Sequence, residues 1–133
     1  SFLILYCVDG GDAARPTLLL PPGRWLTPRL ARILRAEAWV VGDGRRAFLA
    51  SPIESTSLLR YDAACMRPAL VGAQDTIKSA TKSAVPVRLM WSERDILIIN
   101  NRNCLHSRGP VVGHGSRERV LRRVLVGGNQ LWQ

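Results

Sequence analysis

Arginine and histidine are the residues of this chain whose type and spacing could do chemistry. Arg117, Arg119, Arg122 and Arg123 crowd into one segment, with Val120, Leu121, Val124 and Val126 among them. Side chains alternate along a strand, so Arg119, Leu121 and Arg123 fall on one face. Two guanidinium groups four residues apart on that face stand roughly 13 Å apart by the strand rise. Each can then grip its own carboxylate as a bidentate pair. A phosphate-binding edge is the other use for such arginines, but the alternation suits a half-buried strand better than a nucleic-acid arm. His106 lies upstream, in Asn100-Asn101-Arg102-Asn103-Cys104-Leu105-His106, after the apolar run Ile96-Leu97-Ile98-Ile99. That order delivers polar groups and one imidazole to the mouth of a strand. His114, between Gly113 and Gly115, reads as a loop residue. Cys104, His106 and His114 would form a zinc set only with a fourth ligand, which is not apparent.

These residues need elements to hold them. Phe2 to Val8 reads as a buried strand, and Asp9-Gly10-Gly11-Asp12 as a turn. Thr17 to Leu20 is a second short strand, closed by Pro21-Pro22-Gly23. Thr17 itself is either a β-former or a polar group placed for use. Thr27 as N-cap and Pro28 at the first helical position predict a helix over 28–37, with Leu30, Ile33 and Leu34 on one side. Trp39-Val40-Val41, the turn Gly42-Asp43-Gly44 and Ala47-Phe48-Leu49-Ala50 predict a hairpin. Leu58 to Tyr61 is a further strand, 68–84 has helical character, and Val85 to Trp91 alternates. Ile96 to Ile99 reads as the strongest buried strand, followed by a polar loop, and Val120 to Val126 as the last strand. Many short strands with two helices suggest a sandwich or barrel with helical insertions. The four tryptophans, Trp25, Trp39, Trp91 and Trp132, read as packing residues.

The chain has 133 residues and a formal net charge of +9. That length fits one domain. The basic excess is almost all arginine, and it is scattered. An aromatic content of 6% is thin for stacking on bases. Nucleic acid is therefore not the expected partner. No apolar run approaches the roughly 20 residues of a membrane span, so no membrane is expected either. The opening lacks the basic region and cleavage site of a signal peptide. Cys7, Cys65 and Cys104 form no CxxC pair, and a reducing cytoplasm is the expected location.

The segment Trp91 to Pro110, taken with the arginine strand, resembles the C-terminal signature of Fe(II)/2-oxoglutarate-dependent oxygenases of the taurine dioxygenase and clavaminate synthase-like type. That signature is an apolar strand, an Asn-Arg pair, a distal iron-ligand histidine, and then an arginine-bearing strand. The opening strand and Thr17 also fit, so the resemblance spans most of the chain and is weakest over 42–84. It implies a mainly β double-stranded β-helix (jelly-roll) with helical insertions, incomplete at its N-terminal side, as a single partial domain over 1–133. It implies Fe(II) and 2-oxoglutarate as cofactors, and hydroxylation of a small amino-acid-like substrate coupled to loss of CO2 from 2-oxoglutarate. By resemblance, His106 is the distal iron ligand. Arg119, helped by Thr17, pairs with the 5-carboxylate of 2-oxoglutarate. Arg123 faces its 1-carboxylate or a substrate carboxylate. Asn101 and Arg102 shape the loop before the histidine.

One departure from the family is large. Neither His106 nor His114 stands in a His-x-Asp or His-x-Glu motif. Catalytic iron needs two histidines and a carboxylate. By resemblance, the missing pair is expected just upstream of Ser1, because in the family a strand like Phe2-Leu3-Ile4-Leu5-Tyr6-Cys7 closely follows the first metal motif. The chain alone is then expected to be inactive. The other outcome is a catalytically inactive binding or assembly protein on the same fold, with a homo-oligomer or partner chain covering its open sheet edge.

Overall fold

The computed structural model describes residues 2–11, 15–42, 45–55, 58–62, 64–69 and 73–127. The chain divides into two compact units. One comprises Ser1–Leu19 with Pro86–Gln133, the other Leu20–Val85.

The first unit is built on β1 (Phe2–Asp9), an eight-residue strand whose apolar residues fill both faces. It lies between β11 (Val120–Val126) and β9 (Ile96–Asn100), antiparallel to both. Leu5 stands opposite Arg123 on one side and Leu97 on the other. Leu3, Leu5 and Ile99 form the buried centre, and Leu19, Trp91, Leu97, Cys104 and Leu121 pack against it. Burying each such aliphatic side chain stabilises the fold by about 1.5–3 kcal/mol. A second sheet has the order β10 (Leu105–Arg108), β2 (Thr17–Leu20), β8 (Val87–Leu89). Gly109 lets β10 approach β2 closely. Its N–H donates to the Pro16 carbonyl at 2.8 Å. A Cβ there would stand 2.7 Å from the Pro16 ring.

The second unit holds α1 (Pro28–Ala36), whose Thr27 hydroxyl accepts from the Leu30 N–H at 3.2 Å. It contacts α2 (Ala73–Ser83) and β5 (Ile53–Ser55). Strand β3 (Trp39–Gly42) lies between β4 (Ala47–Ala50) and β7 (Met66–Pro68), and β5 pairs with β6 (Leu58–Leu59). Trp39 is fully buried and meets Tyr61 edge-on, with ring centroids 5.8 Å apart. An open groove of about 1030 Å³ runs between α1 and α2. Its ionisable lining residues, Arg24, Arg29 and Asp75, are all exposed.

The chain is thus mainly β with antiparallel pairing and, among the described residues, two helices. Four expectations need correction. Ile96 to Ile99 is not buried on both faces: Leu97 and Ile99 face the core, while Ile96 and Ile98 are 64% and 62% exposed. The strand expected over Leu58 to Tyr61 ends at Leu59. Val85 to Trp91 is a strand only over Val87–Leu89. The polar stretch at His106 is strand β10, and Met66–Pro68 is a strand that the sequence had not indicated. The hairpin tip at 43–44 and residues 70–72 of the expected second helix lie outside the described residues.

Candidate functional site

Thr17 opens β2, and only 3% of it is exposed. It pairs across the sheet with Leu89 of β8. Trp91 follows just beyond β8 and reaches back. Its indole N–H donates to the Thr17 hydroxyl oxygen at 2.9 Å. Arg119 lies immediately before β11. Its guanidinium stands over the Trp91 ring, 5.8 Å from the centroid. One of its N–H groups donates to the Arg15 carbonyl. Residues distant in sequence therefore converge on one indole.

Electrostatics mark the same place. Arg15 and Arg108 surround Arg119, and Glu118 answers them. Its carboxylate is 2.9 Å from Arg108 and 3.5 Å from Arg15. The hydrogen bond from Arg108 holds the Glu118 carboxyl below the usual carboxylate range, helped by the charges of Arg108 and Arg15. Burial pulls the Arg119 guanidinium down from its usual value, and the nearby charge of Arg108 adds to this. Three guanidinium groups thus share one exposed carboxylate. The Nε of Arg15 is buried and has no hydrogen-bond partner. Buried donors left unmatched are rare and call for an acceptor. A carboxylate anion matches this set, because arginine forks bind carboxylates in pairs of charge-assisted bonds.

The backbone that places Arg119 depends on Gly11. Its φ is +67°, in the left-handed region that favours glycine. Its N–H donates to the Asp9 carboxylate at 2.8 Å, and Asp9 in turn pairs with Arg117 at 3.3 Å. A Cβ on Gly11 would stand 2.5 Å from the Arg117 carbonyl oxygen and 2.8 Å from the Arg119 nitrogen.

Cys7 lies on β1, fully buried. Burial first, then the charges of Asp95 and Asp9, push its thiol up. The reactive form is the thiolate, so this thiol is inert at neutral pH. Titration of the native protein with Ellman's reagent is expected to label Cys65 and Cys104 well before Cys7. Peptide mapping that finds Cys7 among the first residues labelled would contradict this.

The structure joins Thr17 and Arg119 through Trp91. Arg123 stands opposite Leu5 on β11, so the two share a face. Its side chain is exposed. His106 is an exposed residue of β10, the strand beside β2. The loop before it is held by Asn100, whose carboxamide oxygen accepts from the Arg102 N–H at 3.1 Å. Among the described residues, no group of three or more His, Cys, Asp or Glu could hold a metal ion. The zinc set of Cys104, His106 and His114 is therefore not assembled, and the described residues do not complete an iron site. Trp91, Arg15 and Gly11 were not visible as site residues in the sequence. Only the polar end of the Trp91 indole hinted at a role, since a buried indole N–H usually finds an acceptor. No described helix is long and apolar enough to cross a membrane.

No protein-family model matches the sequence. No curated protein matches it either. Solved structures do match. An asparagine oxygenase, solved with Fe(II), 2S,3S-3-hydroxyasparagine and succinate, superposes with a TM-score of 0.74 at 18% identity, covering 92% of this chain and 44% of that one. The PvcB protein of Pseudomonas aeruginosa superposes with a TM-score of 0.65 at 16% identity, covering 92% of this chain and 50% of that one. The chain spans about half the length of these structures, or less. At such identities the likeness is one of fold. It agrees with the resemblance to taurine dioxygenase and clavaminate synthase-like oxygenases seen in Trp91 to Pro110. The chain thus has an oxygenase-like, mainly antiparallel β fold.

Proposed function

We propose that this chain is the 2-oxoglutarate-binding part of an Fe(II)/2-oxoglutarate-dependent dioxygenase-like protein. In this proposal residues 1–133 form one partial double-stranded β-helix domain, which works in a reducing cytoplasm. Its reaction class is hydroxylation of a small amino-acid-like molecule, with the remaining iron ligands supplied from outside this sequence. The observation that carries the proposal is the meeting of Thr17 and Arg119 on the Trp91 indole, beside Arg15, whose carbonyl accepts from Arg119 and whose buried Nε has no partner. Thr17 and Arg119 take the distal carboxylate of 2-oxoglutarate. Arg123 faces its other carboxylate or that of the substrate, and His106 is the one iron ligand contributed by the chain.

A second reading is a catalytically inactive binding or assembly protein on the same fold. One observation bears on it. The outer face of the first sheet exposes Phe2, Tyr6, Ile96, Ile98, Val124 and Val126, a surface that a second copy or a partner chain would cover.

Calorimetric titration of the metal-free chain with 2-oxoglutarate tests the shared pocket, and iron analysis of the chain assembled with the part that supplies the other ligands separates the two readings. Saturable 2-oxoglutarate binding by the chain, with iron retained by that assembly, is the result expected from an oxygenase part. Binding with no iron retained by the assembly favours the inactive reading. Absence of binding removes the carboxylate pocket from both.

A further inference from the structure

We infer that Trp91 is a positioning residue that aims the Thr17 hydroxyl proton and the Arg119 guanidinium at a single ligand carboxylate. The inference rests on the carboxylate-binding role proposed above and adds to it a residue and a mechanism.

The first step is donor bookkeeping. An indole N–H can only donate, so at 2.9 Å the Thr17 oxygen must be the acceptor. A hydroxyl that accepts still carries its own proton. Thr17 is 3% exposed, so solvent does not take that proton. Among the described residues, the Thr17 hydroxyl donates no hydrogen bond. Its donor is therefore available to a ligand oxygen, and an anion is the acceptor that gains most from it.

The second step concerns the ring. The face of the same indole lies beneath the Arg119 guanidinium, 5.8 Å from its charge centre. Cation–π attraction and the hydrogen bond to the Arg15 carbonyl together fix the plane of the fork. At least three of the five N–H donors of Arg119 remain for a ligand. The edge of Trp91 therefore sets one donor and its face sets the other. A ligand oxygen pair meets both without paying to order either side chain.

The packing of Trp91 against Leu3, Leu5 and Ile99 explains why the indole can serve as a template. Its ring is fixed by the apolar core of the sheet, so its N–H direction is fixed too.

The test is a double-mutant cycle on 2-oxoglutarate affinity, measured calorimetrically on the metal-free chain. Trp91→Phe keeps a ring face for Arg119 and removes the N–H. It is expected to weaken binding about fivefold, the effect of losing one oriented hydrogen bond. In a Thr17→Val background the same Trp91→Phe change is expected to do nothing further. Equal weakening in both backgrounds means that Trp91 acts as bulk packing, and it overturns the inference. So does Trp91→Phe binding as tightly as the parent, while Arg119→Ala loses binding. That pair of results leaves the carboxylate pocket standing, whereas a parent chain that does not bind overturns both. Should Trp91→Phe fail to fold, the parent supplies the readout by NMR. The assigned Trp91 indole proton is expected to shift on addition of 2-oxoglutarate, as its acceptor hydroxyl becomes engaged. An unmoved resonance at saturation overturns the inference.

Discussion

Arg119→Ala is expected to abolish measurable 2-oxoglutarate binding, weakening it by about 30- to 4000-fold. Two bonds from one fork to a carboxylate are lost together, and the ligand charge enters a half-buried site without its partner. Truncating one member of such a pair costs about 2–5 kcal/mol. The same change leaves folding nearly untouched, for a reason visible in the site. Arg119 sits beside Arg108 and Arg15, and burial and Arg108 both disfavour its charge. Removing it relieves that crowding and offsets the lost bond to the Arg15 carbonyl. Stability in urea is therefore expected to stay within about 1 kcal/mol of the parent. Arg119→Lys is expected to fall between, because it keeps the charge and loses the fork. Calorimetry on the folded variants decides the matter, and an alanine variant that binds like the parent would remove Arg119 from the site.

The difference between binding and folding effects reflects what the sequence could and could not reveal. Strands β1, β2 and β11 were legible because their residues are apolar enough, or alternate clearly enough, to have one use. Helix α1 was legible because Thr27 and Pro28 mark its start chemically. Strand β10 was not, since Leu105-His106-Ser107-Arg108 has the composition of a loop. Its extended form comes from neighbouring β2 and from a glycine that allows close approach. Strand β7 contains Pro68 and stands at a sheet edge, the place where a missing N–H does no harm. Ile96 to Ile99 shows the opposite failure. An unbroken apolar run predicts burial on both faces, and here only the Leu97 and Ile99 face is covered.

The candidate site divides in the same way. Arg119 and Thr17 were recognisable by their place in a pattern. The tryptophan that joins them was read as packing, because a hydrogen bond between residues 74 apart leaves no periodic trace. Arg15 had no motif at all, and it matters through a carbonyl and an unmatched Nε. What the pattern of residue types conveys is which groups are charged. Which donors remain unpaired emerges only from the packed geometry.

Gly11 carries the second large effect, on both stability and binding. Gly11→Val is expected to destabilise the chain by about 2–6 kcal/mol. Two costs add. A β-branched residue at φ +67° is strained, by about 1–3 kcal/mol. Its Cβ would also overlap the Arg117 carbonyl at 2.5 Å, and overpacking of this kind costs about 1–3 kcal/mol. The obstructing atoms are backbone, so no side-chain rotation relieves the clash. With the turn tied to the Asp9 carboxylate, the chain is expected to escape by moving residues 117–119 away from it. That movement carries Arg119 off the Trp91 face and loosens its bond to Arg15. The fraction that stays folded is therefore expected to bind 2-oxoglutarate at least tenfold more weakly, since displacement of a charged fork forfeits at least one oriented bond. Asp9→Asn is the matched control: it keeps the glycine and an acceptor for its N–H, and removes the charge facing Arg117. It is expected to change stability by less than about 1 kcal/mol, as for an exposed ion pair. Urea denaturation and calorimetry on the three proteins test the account. A Gly11→Val protein as stable as the parent would show that the turn yields without disturbing Arg119, and the glycine would then have no part in placing the site.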